Sequence, residues 1–194
     1  MIRVGITGGI GSGKSMVCRI VEAMGYPVYN ADAEAKQLSD THETIVSGAK
    51  ALFGDSIYRD GKLDRKRVGS LVFADARLLE RLNSIIHPVV AQHFDLWVKA
   101  NSQHRLVFKE AAILFESGAY KQVDKTVAVW APDKVRIARV CNRDGVSADR
   151  VRARMANQMP QQQLVQKVDY VIKNNGEELL LPQVENLVKI LLNI

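Results

Sequence analysis

Alternating blocks of apolar and amphipathic sequence indicate strands separated by helices along most of this chain. Residues 2–7 form a run of mainly apolar positions, which is typical of a strand buried within a parallel sheet. In residues 15–24 the apolar side chains recur every three or four positions, so a helix is predicted there. Further strands are predicted at residues 27–30, 106–114, 126–131 and 169–172, with residues 106–114 running into a helix or turn at their end.

The remaining segments have helical patterns. Residues 32–100 are predicted to be mostly helical, with an interruption of loop chemistry at residues 54–62. Residues 134–159 are predicted to be helical, and a last helix to extend to about residue 193. Pro182 should lie near the start of that helix, because an interior proline would break it. Strands that alternate with helices predict an α/β fold with a five-stranded parallel sheet and helices on both faces.

Two of the helical segments are insertions in this core. Residues 32–100 greatly exceed the roughly 12 residues that a crossover between parallel strands needs, so we expect a helical lobe that binds the acceptor substrate. The Arg-rich residues 134–164, between the fourth and fifth strands, occupy the position of a lid that excludes water. The chain is interpreted as a single domain whose core comprises residues 1–31, 101–133 and 165–194.

Composition excludes several classes of protein. The chain has 194 residues, of which 47% are hydrophobic and 25% charged, as in ordinary globular proteins and unlike collagen-like, disordered or coiled-coil chains. Cys18 and Cys141 are too few for a disulfide framework, so reduced thiols are expected. The first residues lack a signal-peptide pattern, and no apolar run approaches the ~18 residues of a membrane span. We therefore expect a cytoplasmic protein without a membrane partner, and favour a monomer.

Positive charge is concentrated in one part of the chain. The net charge is +6, and residues 133–173 alone hold nine basic and four acidic side chains. Nucleic acid or a small polyphosphate ligand would each explain this clustering. The motifs have to decide between them.

A glycine-rich loop follows the first predicted strand. Residues 8–15 read Gly-Gly-Ile-Gly-Ser-Gly-Lys-Ser and match the P-loop pattern, which a chain of this length meets by chance about once in a hundred. In this motif the amides and the following helix N-terminus cradle phosphates, so we expect Lys14 to reach the β- and γ-phosphates and the Ser15 hydroxyl to ligate Mg²⁺. The residues predicted to bind ATP here are Gly9, Gly11, Ser12, Gly13, Lys14, Ser15 and Met16.

Six short motifs in order along the whole chain together resemble the dephospho-CoA kinase family. The resemblance implies a P-loop NTPase fold and ATP-dependent phosphorylation of the ribose 3′-hydroxyl of dephospho-CoA, the last step of coenzyme A synthesis, with Mg²⁺ as cofactor. Small-molecule partners are then expected, and no nucleic acid. The motifs are the P-loop, Tyr29-Asn30-Ala31-Asp32, Ile86-His87-Pro88, Ile113-Leu114-Phe115-Glu116, residues 139–143, and residues 169–176.

Asp32 is the candidate catalytic base. It follows the second predicted strand, at the carboxyl edge of the sheet where ligands bind in such folds. The family pattern resembles Asp-Ala-Asp, and Asp32 matches its second carboxylate, which is implied to accept the proton of the acceptor hydroxyl. Asn30 stands at the first position. From the residues alone, Asp32 as the cap of a helix starting at Ala33 is an equal alternative.

The basic lid segment supplies further candidates. Arg139 and Arg143 are four residues apart and share a helix face, which the resemblance places over the ATP phosphates, with Arg139 stabilising the transferring charge. A solvated charged face is the alternative. Arg136 stands where the family has a glutamine, and no role is assigned to it. Asn175 lies in a turn that resembles the family's adenine-proximal turn; a simple helix-entry turn is the alternative.

Two other residues are candidates through the resemblance. His87, before a proline that marks a bend, is implied to lie near the bound dephospho-CoA; packing is the alternative. Glu110 replaces a family aspartate at the end of the third predicted strand, and Ala112 replaces a proline. A carboxylate there could hold Mg²⁺-bound water. The histidines and cysteines form no zinc pattern.

Three other functions remain as alternatives. A nucleoside or nucleotide kinase would share the core and lid and differ in the acceptor lobe. A GTPase-like switch is disfavoured, since no Asn-Lys-x-Asp guanine-reading motif occurs in the sequence. A nucleic-acid-binding protein would have a basic face without a closed acceptor pocket.

Overall fold

A parallel sheet is the centre of one of the two units into which the computed structural model divides. The model describes residues 1–75 and 77–194, and the units comprise Met1–Asn30 with Ala100–Ile194, and Ala31–Lys99. The strands are β1 (Ile2–Thr7), β2 (Val28–Asn30), β3 (Tyr58–Arg59), β4 (Lys62–Leu63), β5 (Leu106–Glu110), β6 (Lys125–Trp130) and β7 (Tyr170–Lys173).

Helices connect these strands and follow the last of them. They are α1 (Lys14–Ala23), α2 (Ala31–Thr41), α3 (Glu43–Phe53), α4 (Arg65–Ala74), α5 (Ala76–Ala100), α6 (Asp133–Asp144), α7 (Ala148–Ala156), α8 (Gln161–Val165) and α9 (Leu180–Leu192). Two 3₁₀ turns, Asp55–Ile57 and Ala119–Gln122, complete the regular structure of the described residues.

The order of strands in the sheet is β2-β5-β1-β6-β7, and every neighbouring pair is parallel. One face of β1, with the fully buried Val4 and Ile6, packs with apolar residues of α1 and α9. On its other face, Gly5 leaves room for Leu114, because a Cβ on Gly5 would lie 2.8 Å from Leu114 Cδ2. The central strand is thus covered on both faces, as its apolar sequence predicts.

The predicted α/β fold with a five-stranded parallel sheet and helices around it is confirmed. The predicted strand at residues 2–7 has the bounds observed for β1, and the others differ by one to four residues at an end. The largest difference is at residues 106–114, where β5 ends at Glu110. Pro182 lies in the first turn of α9, where its missing N–H needs no partner within the helix.

The second unit is helical, with one small hairpin that the sequence analysis missed. The predicted loop at residues 54–62 contains a 3₁₀ turn, and β3 and β4 pair antiparallel beside it. Asp60 and Gly61 make the two-residue turn, both with positive φ. Buried residues Ala49, Ile57, Leu63, Val68 and Leu82 form a hydrophobic cluster in this unit.

One helical prediction needs correction. Residues 134–159 form two helices, because α6 ends at Gly145 in the left-handed conformation and α7 begins at Ala148. Pro88, the position of the expected bend, lies inside helix α5, which continues on both sides of it. Within the described part of the chain, every helix falls short of the length or apolar character that crossing a membrane requires.

Candidate active site

The P-loop lies between the central strand β1 and helix α1, at the carboxyl edge of the sheet. Gly13 precedes the first residue of α1 with a φ of 96°, a left-handed conformation that glycine adopts without strain. The N-terminus of α1 and the positive end of the helix dipole therefore face the loop. This is the geometry of an anion-binding site.

Side chains satisfy the carbonyl groups of the loop. Lys14 Nζ donates to the Gly8 carbonyl at 2.9 Å, so its ammonium lies against the loop itself. Arg136 Nε donates to the Ile10 carbonyl at 2.9 Å, and Asn174 Nδ2 donates to the Ser12 carbonyl at 2.8 Å. Carbonyls that accept these bonds are fixed, and the loop backbone is held in one conformation.

Two loop glycines leave room for the ends of these side chains. A Cβ on Gly9 would meet Arg136 Nη2, and a Cβ on Gly13 would meet Asn174 Nδ2. A side chain at either position would require the end of Arg136 or Asn174 to shift. The glycine spacing of the motif thus serves packing as well as phosphate approach.

The hydroxyl groups of the loop differ in their surroundings. Ser12 is fully buried, and its Oγ has no hydrogen-bond partner among the described residues. An orphaned hydroxyl in this loop fits a site that a ligand completes. Ser15 and Met16, in the first turn of α1, are exposed.

Glu110 ends the strand next to β1, and Ile6 is its partner in the sheet register. It is 8% exposed, and Asn30 Nδ2 donates to its Oε2 at 2.8 Å. An asparagine at position 30 therefore provides a donor for the carboxylate, where an aspartate would place a second negative charge. Among the described residues there is no cluster of three or more His, Cys, Asp or Glu side chains fit for a metal ion.

Cys18 lies in α1 directly behind the loop and is 5% exposed. Burial, with a contribution from the nearby carboxylate of Glu110, raises the pKa of its thiol to about 12. Because the thiolate is the reactive form, this thiol is inert at neutral pH.

We expect iodoacetamide at pH 8 to modify Cys141, which is partly exposed, and to leave Cys18 intact in the native protein. Peptide mass spectrometry after timed quenching measures both sites. In denaturant the two should react at similar rates, which is the internal control. Equal rates in the native protein would contradict the described burial of Cys18.

Arg139 and Asn174 form a second contact group at the edge of the loop. The Arg139 guanidinium donates to the Asn174 carbonyl at 3.1 Å and to its Oδ1 at 3.2 Å. Asn174 in turn donates to the P-loop at Ser12. Asn175, the residue predicted from the sequence, instead closes a local turn by accepting from the amides of Glu177 and Glu178. Asn174 is thus the residue of this turn that contacts the loop.

The other arginines of this region have distinct partners. Arg143 is exposed and pairs with Asp144 at 2.7 Å, which raises the pKa of its guanidinium. Arg136, to which the sequence analysis gave no role, is 4% exposed and contacts the P-loop and Asp133. Burial lowers its pKa, although a guanidinium remains charged at neutral pH.

Sequence reasoning also missed a contact from the end of α7 to the loop. Gln158 Oε1 accepts from the Ile10 amide at 2.8 Å, and the Met159 amide donates to Glu116 Oε1 at 2.9 Å. Glu116 ends the motif Ile113-Leu114-Phe115-Glu116, so the sequence did contain a signal that this residue matters. No local pattern marks Gln158. A cavity of about 800 Å³ adjoins these residues, lined in part by Trp130, Arg136, Arg152, Met155, Gln158 and Gln161.

The helical unit contains the two remaining candidates. Asp32 is exposed in the first turn of α2, which begins at Ala31, so a helix starting at Ala33 with Asp32 as its cap is not what forms. His87 lies within α5, half-buried, and burial lowers the pKa of its imidazole, so it is neutral at pH 7.

The same unit has a cavity of its own, of about 490 Å³, between α3 and α5. His42, Ser84, Pro88 and Gln92 are among its lining residues. His42 Nδ1 is buried without a hydrogen-bond partner among the residues described. Polar and apolar side chains thus line a concave site in this unit.

A model of the dephospho-CoA kinase family matches residues 2–179 of this chain. A dephospho-CoA kinase of Porphyromonas gingivalis is 40% identical over 190 residues, which cover 97% of this chain and 94% of that protein. A dephospho-CoA kinase of Chlorobaculum tepidum is 43% identical over 199 residues, which cover 98% of this chain and 95% of that protein. The expected family is confirmed by both comparisons.

Several solved structures resemble this chain in fold. A protein of Thermus thermophilus superposes with a TM-score of 0.82 at 36% identity, covering 99% of this chain and 96% of that one. Dephospho-CoA kinase from Campylobacter jejuni superposes with a TM-score of 0.71 at 23% identity, covering 96% and 95%. Shikimate kinase from Acinetobacter baumannii has a TM-score of 0.57 at 15% identity, covering 100% and 94%, and supports the P-loop kinase fold alone.

Proposed function

Since this chain belongs to the dephospho-CoA kinase family, we propose that it transfers the γ-phosphoryl group of ATP to the ribose 3′-hydroxyl of dephospho-CoA, giving coenzyme A and ADP. The observation that carries this proposal is the P-loop at the carboxyl edge of the sheet, in a chain that matches the family nearly from end to end. Phosphoryl transfer needs chiefly positioning and charge stabilisation, which such a loop supplies.

ATP is proposed to bind with its phosphates against the loop and the first turn of α1. The predicted contact residues there are Gly9, Gly11, Ser12, Gly13, Lys14, Ser15 and Met16. The Lys14 ammonium already lies against the loop, so a short movement from the Gly8 carbonyl would bring it to a phosphate oxygen. The orphaned Ser12 hydroxyl supports a ligand in this place.

The oxygen donors beside the loop fit Mg²⁺, which prefers one or two carboxylates together with hydroxyl, water and substrate phosphate oxygens. Ser15 presents an exposed hydroxyl, and Glu110 ends the neighbouring strand with a carboxylate oriented by Asn30. We propose Ser15 as a direct ligand and Glu110 as a partner of metal-bound water. Bound there, the ion would neutralise charge on the β- and γ-phosphates.

Asp32 is proposed as the catalytic base. It follows β2 by two residues and is exposed in the first turn of α2, with no competing role as the cap residue of that helix. Its carboxylate would accept the proton of the 3′-hydroxyl and orient the oxygen for attack.

The helical unit is proposed to bind dephospho-CoA, with His87 near the acceptor. Its bounds of Ala31–Lys99 agree closely with the predicted acceptor lobe at residues 32–100. The cavity lined by His42 and Pro88 supports a ligand-binding role for this unit. Residues 134–164 are proposed to be the lid, with Arg139 and Arg143 directed to the ATP phosphates when it closes.

Arg139→Lys should lower turnover more than it weakens ATP binding. Lysine keeps the charge and loses the planar fork, which in this structure grips two oxygens of Asn174. Contacts that strengthen as charge develops on the transferring group act on kcat. Steady-state kinetics at saturating dephospho-CoA, compared with equilibrium binding of ATP, measures the difference.

Arg105→Lys is the matched control, because Arg105 is exposed and donates to the Leu192 carbonyl far from the P-loop. A change there should stay within about 0.5 kcal/mol. Unchanged turnover in Arg139→Lys would limit the role of Arg139 to its contact with Asn174. A higher KM for ATP with unchanged kcat would indicate that Arg139 stabilises bound ATP equally in the ground state and in the transition state.

The proposed acceptor is tested by offering dephospho-CoA, nucleosides and nucleoside monophosphates with ATP and Mg²⁺, and measuring ADP. We expect ADP formation with dephospho-CoA at a kcat/KM at least about 10²-fold above the others, since the binding energy of the whole acceptor serves the reaction. Preference for a nucleoside monophosphate would overturn the proposal in favour of a nucleotide kinase.

We propose, finally, a cytoplasmic location. The free thiols of Cys18 and Cys141 support a reducing compartment. Fractionation of cells that produce the native chain tests this.

A further inference from the structure

We propose that Arg136 and Gln158 are positioning residues that clamp the P-loop at Ile10 and so join the nucleotide site to α6 and α7. The inference goes beyond the proposed function and rests on it only in taking ATP as the ligand of the loop. The clamp consists of two hydrogen bonds to the backbone of Ile10. The Ile10 amide donates to Gln158, and the Ile10 carbonyl accepts from Arg136.

The need for such a clamp follows from the loop's own geometry. A loop whose amides point inward to an anion directs carbonyls outward, where each needs a donor if it is covered. The first turn of α6 covers this loop so closely that a Cβ on Gly11 would lie 2.5 Å from the Arg136 carbonyl oxygen. A side chain of α6 is therefore the natural donor for Ile10.

Arginine is a costly choice for a position that is 4% exposed. Burying a guanidinium requires compensation, and an apolar side chain would fill the same volume at lower cost. The compensation here is two hydrogen bonds at 2.9 Å, one to the Ile10 carbonyl and one to Asp133 Oδ1. The bond to Ile10 explains why a donor, and not only volume, is required at position 136.

Gln158 is fixed from a second side. The neighbouring Met159 amide donates to Glu116, which follows β5 along the chain, while the Gln158 side chain reaches the loop after β1. The end of α7 is thus tied to both loops. Since α6 and α7 also pack against each other, a displacement of this helical pair is transmitted to Ile10 through both contacts.

The consequence for function is an effect on nucleotide affinity. A loop held in its binding conformation before ATP arrives pays no ordering cost on binding, whereas a released loop binds with an affinity reduced by the fraction of time it is correctly folded. The clamp acts at Ile10, away from the Lys14 and Ser15 side chains that face the phosphates. It should therefore change the affinity for ATP and leave the chemical step almost unchanged.

Arg136→Met and Gln158→Met test the clamp, since each keeps most of the side-chain volume and removes one polar contact. We expect the Kd of ATP, from equilibrium titration, and the KM for ATP to rise about tenfold in each variant. At saturating ATP, kcat should stay within about threefold and the KM for dephospho-CoA should not change. Arg105→Met, which removes an exposed guanidinium-to-carbonyl bond at Leu192, is the matched control and should stay within about twofold.

The double variant provides the sharpest outcome. Both contacts hold the same residue, so the second substitution should add less than its own tenfold, and the combined rise in Kd should stay well under a hundredfold. A full multiplicative effect would show that the two contacts act independently and would overturn their joint action on Ile10.

Two other results would overturn the clamp itself. If both variants melt at lower temperatures but bind ATP with an unchanged Kd, Arg136 and Gln158 contribute only to the packing of the fold. A loss of kcat in Arg136→Met, with no effect of Gln158→Met, would make Arg136 a direct phosphate ligand. If Arg136→Met does not fold, Gln158→Met alone tests the clamp, because Gln158 is only half-buried. Equilibrium binding of ATP needs no acceptor, so the clamp is tested even where the dephospho-CoA assay fails.

Discussion

Lys14→Ala should reduce phosphoryl transfer about 10³-fold while the protein remains folded. The Lys14 ammonium lies against the P-loop at Gly8, where the γ-phosphate of ATP is proposed to bind, and no other lysine occurs within the motif. Charge that develops on the transferring group would lose the one lysine of the motif as a stabilising cation. The loss should appear in kcat and in kcat/KM together, because the contact strengthens in the transition state.

The fold should survive, because Lys14 is only partly buried and stands at the first residue of α1, outside the apolar core. Lys189→Ala, an exposed lysine in the last turn of α9, is the matched control and should be indistinguishable from the native enzyme. Steady-state rates and thermal unfolding of the same preparations separate catalysis from stability. Near-native turnover in folded Lys14→Ala would disprove the assignment of the loop.

Asp32→Asn should lower kcat by about 10²- to 10⁴-fold, with ATP affinity nearly intact. The carboxamide keeps the size of the side chain and cannot accept the proton of the acceptor hydroxyl. The structure sharpens this test, because asparagine caps helices almost as well as aspartate, and Asp32 lies inside the first turn of α2 in any case. A structural role would therefore leave activity almost unchanged.

Glu185→Gln, on the exposed part of α9, is the matched carboxylate-to-amide control and should not alter kcat. Full activity in Asp32→Asn would require another base.

The sheet and the P-loop could be predicted because their signals are local. The apolar run of β1, the glycine spacing after it and the periodicity of α1 all lie within residues 2–24, and together they mark a strand, a loop and a helix in sequence. The hairpin of β3 and β4 was missed although Asp60-Gly61 is a typical two-residue turn sequence. Its strands are two residues long, too short for an alternation to show.

The contacts that hold the site could not be predicted, because they join residues distant in sequence. Asn174 reaches Ser12 across 162 positions and Gln158 reaches Ile10 across 148. No periodicity marks such pairs. A buried arginine is likewise unexpected in a stretch that reads as a solvated basic face, yet Arg136 is buried where Arg143 is exposed. Tertiary packing decides which of several similar arginines serves the loop.

The most direct test of the proposed function is the position of the transferred phosphate. The protein is incubated with Mg²⁺, ATP and dephospho-CoA, or with the 3′-deoxyribose analogue of dephospho-CoA, and products are identified by phosphorus NMR and mass. We expect one new phosphomonoester on the ribose 3′-oxygen, identical with that of coenzyme A, and no product from the analogue. Phosphorylation of the analogue, or ATP hydrolysis without transfer to dephospho-CoA, would contradict the account.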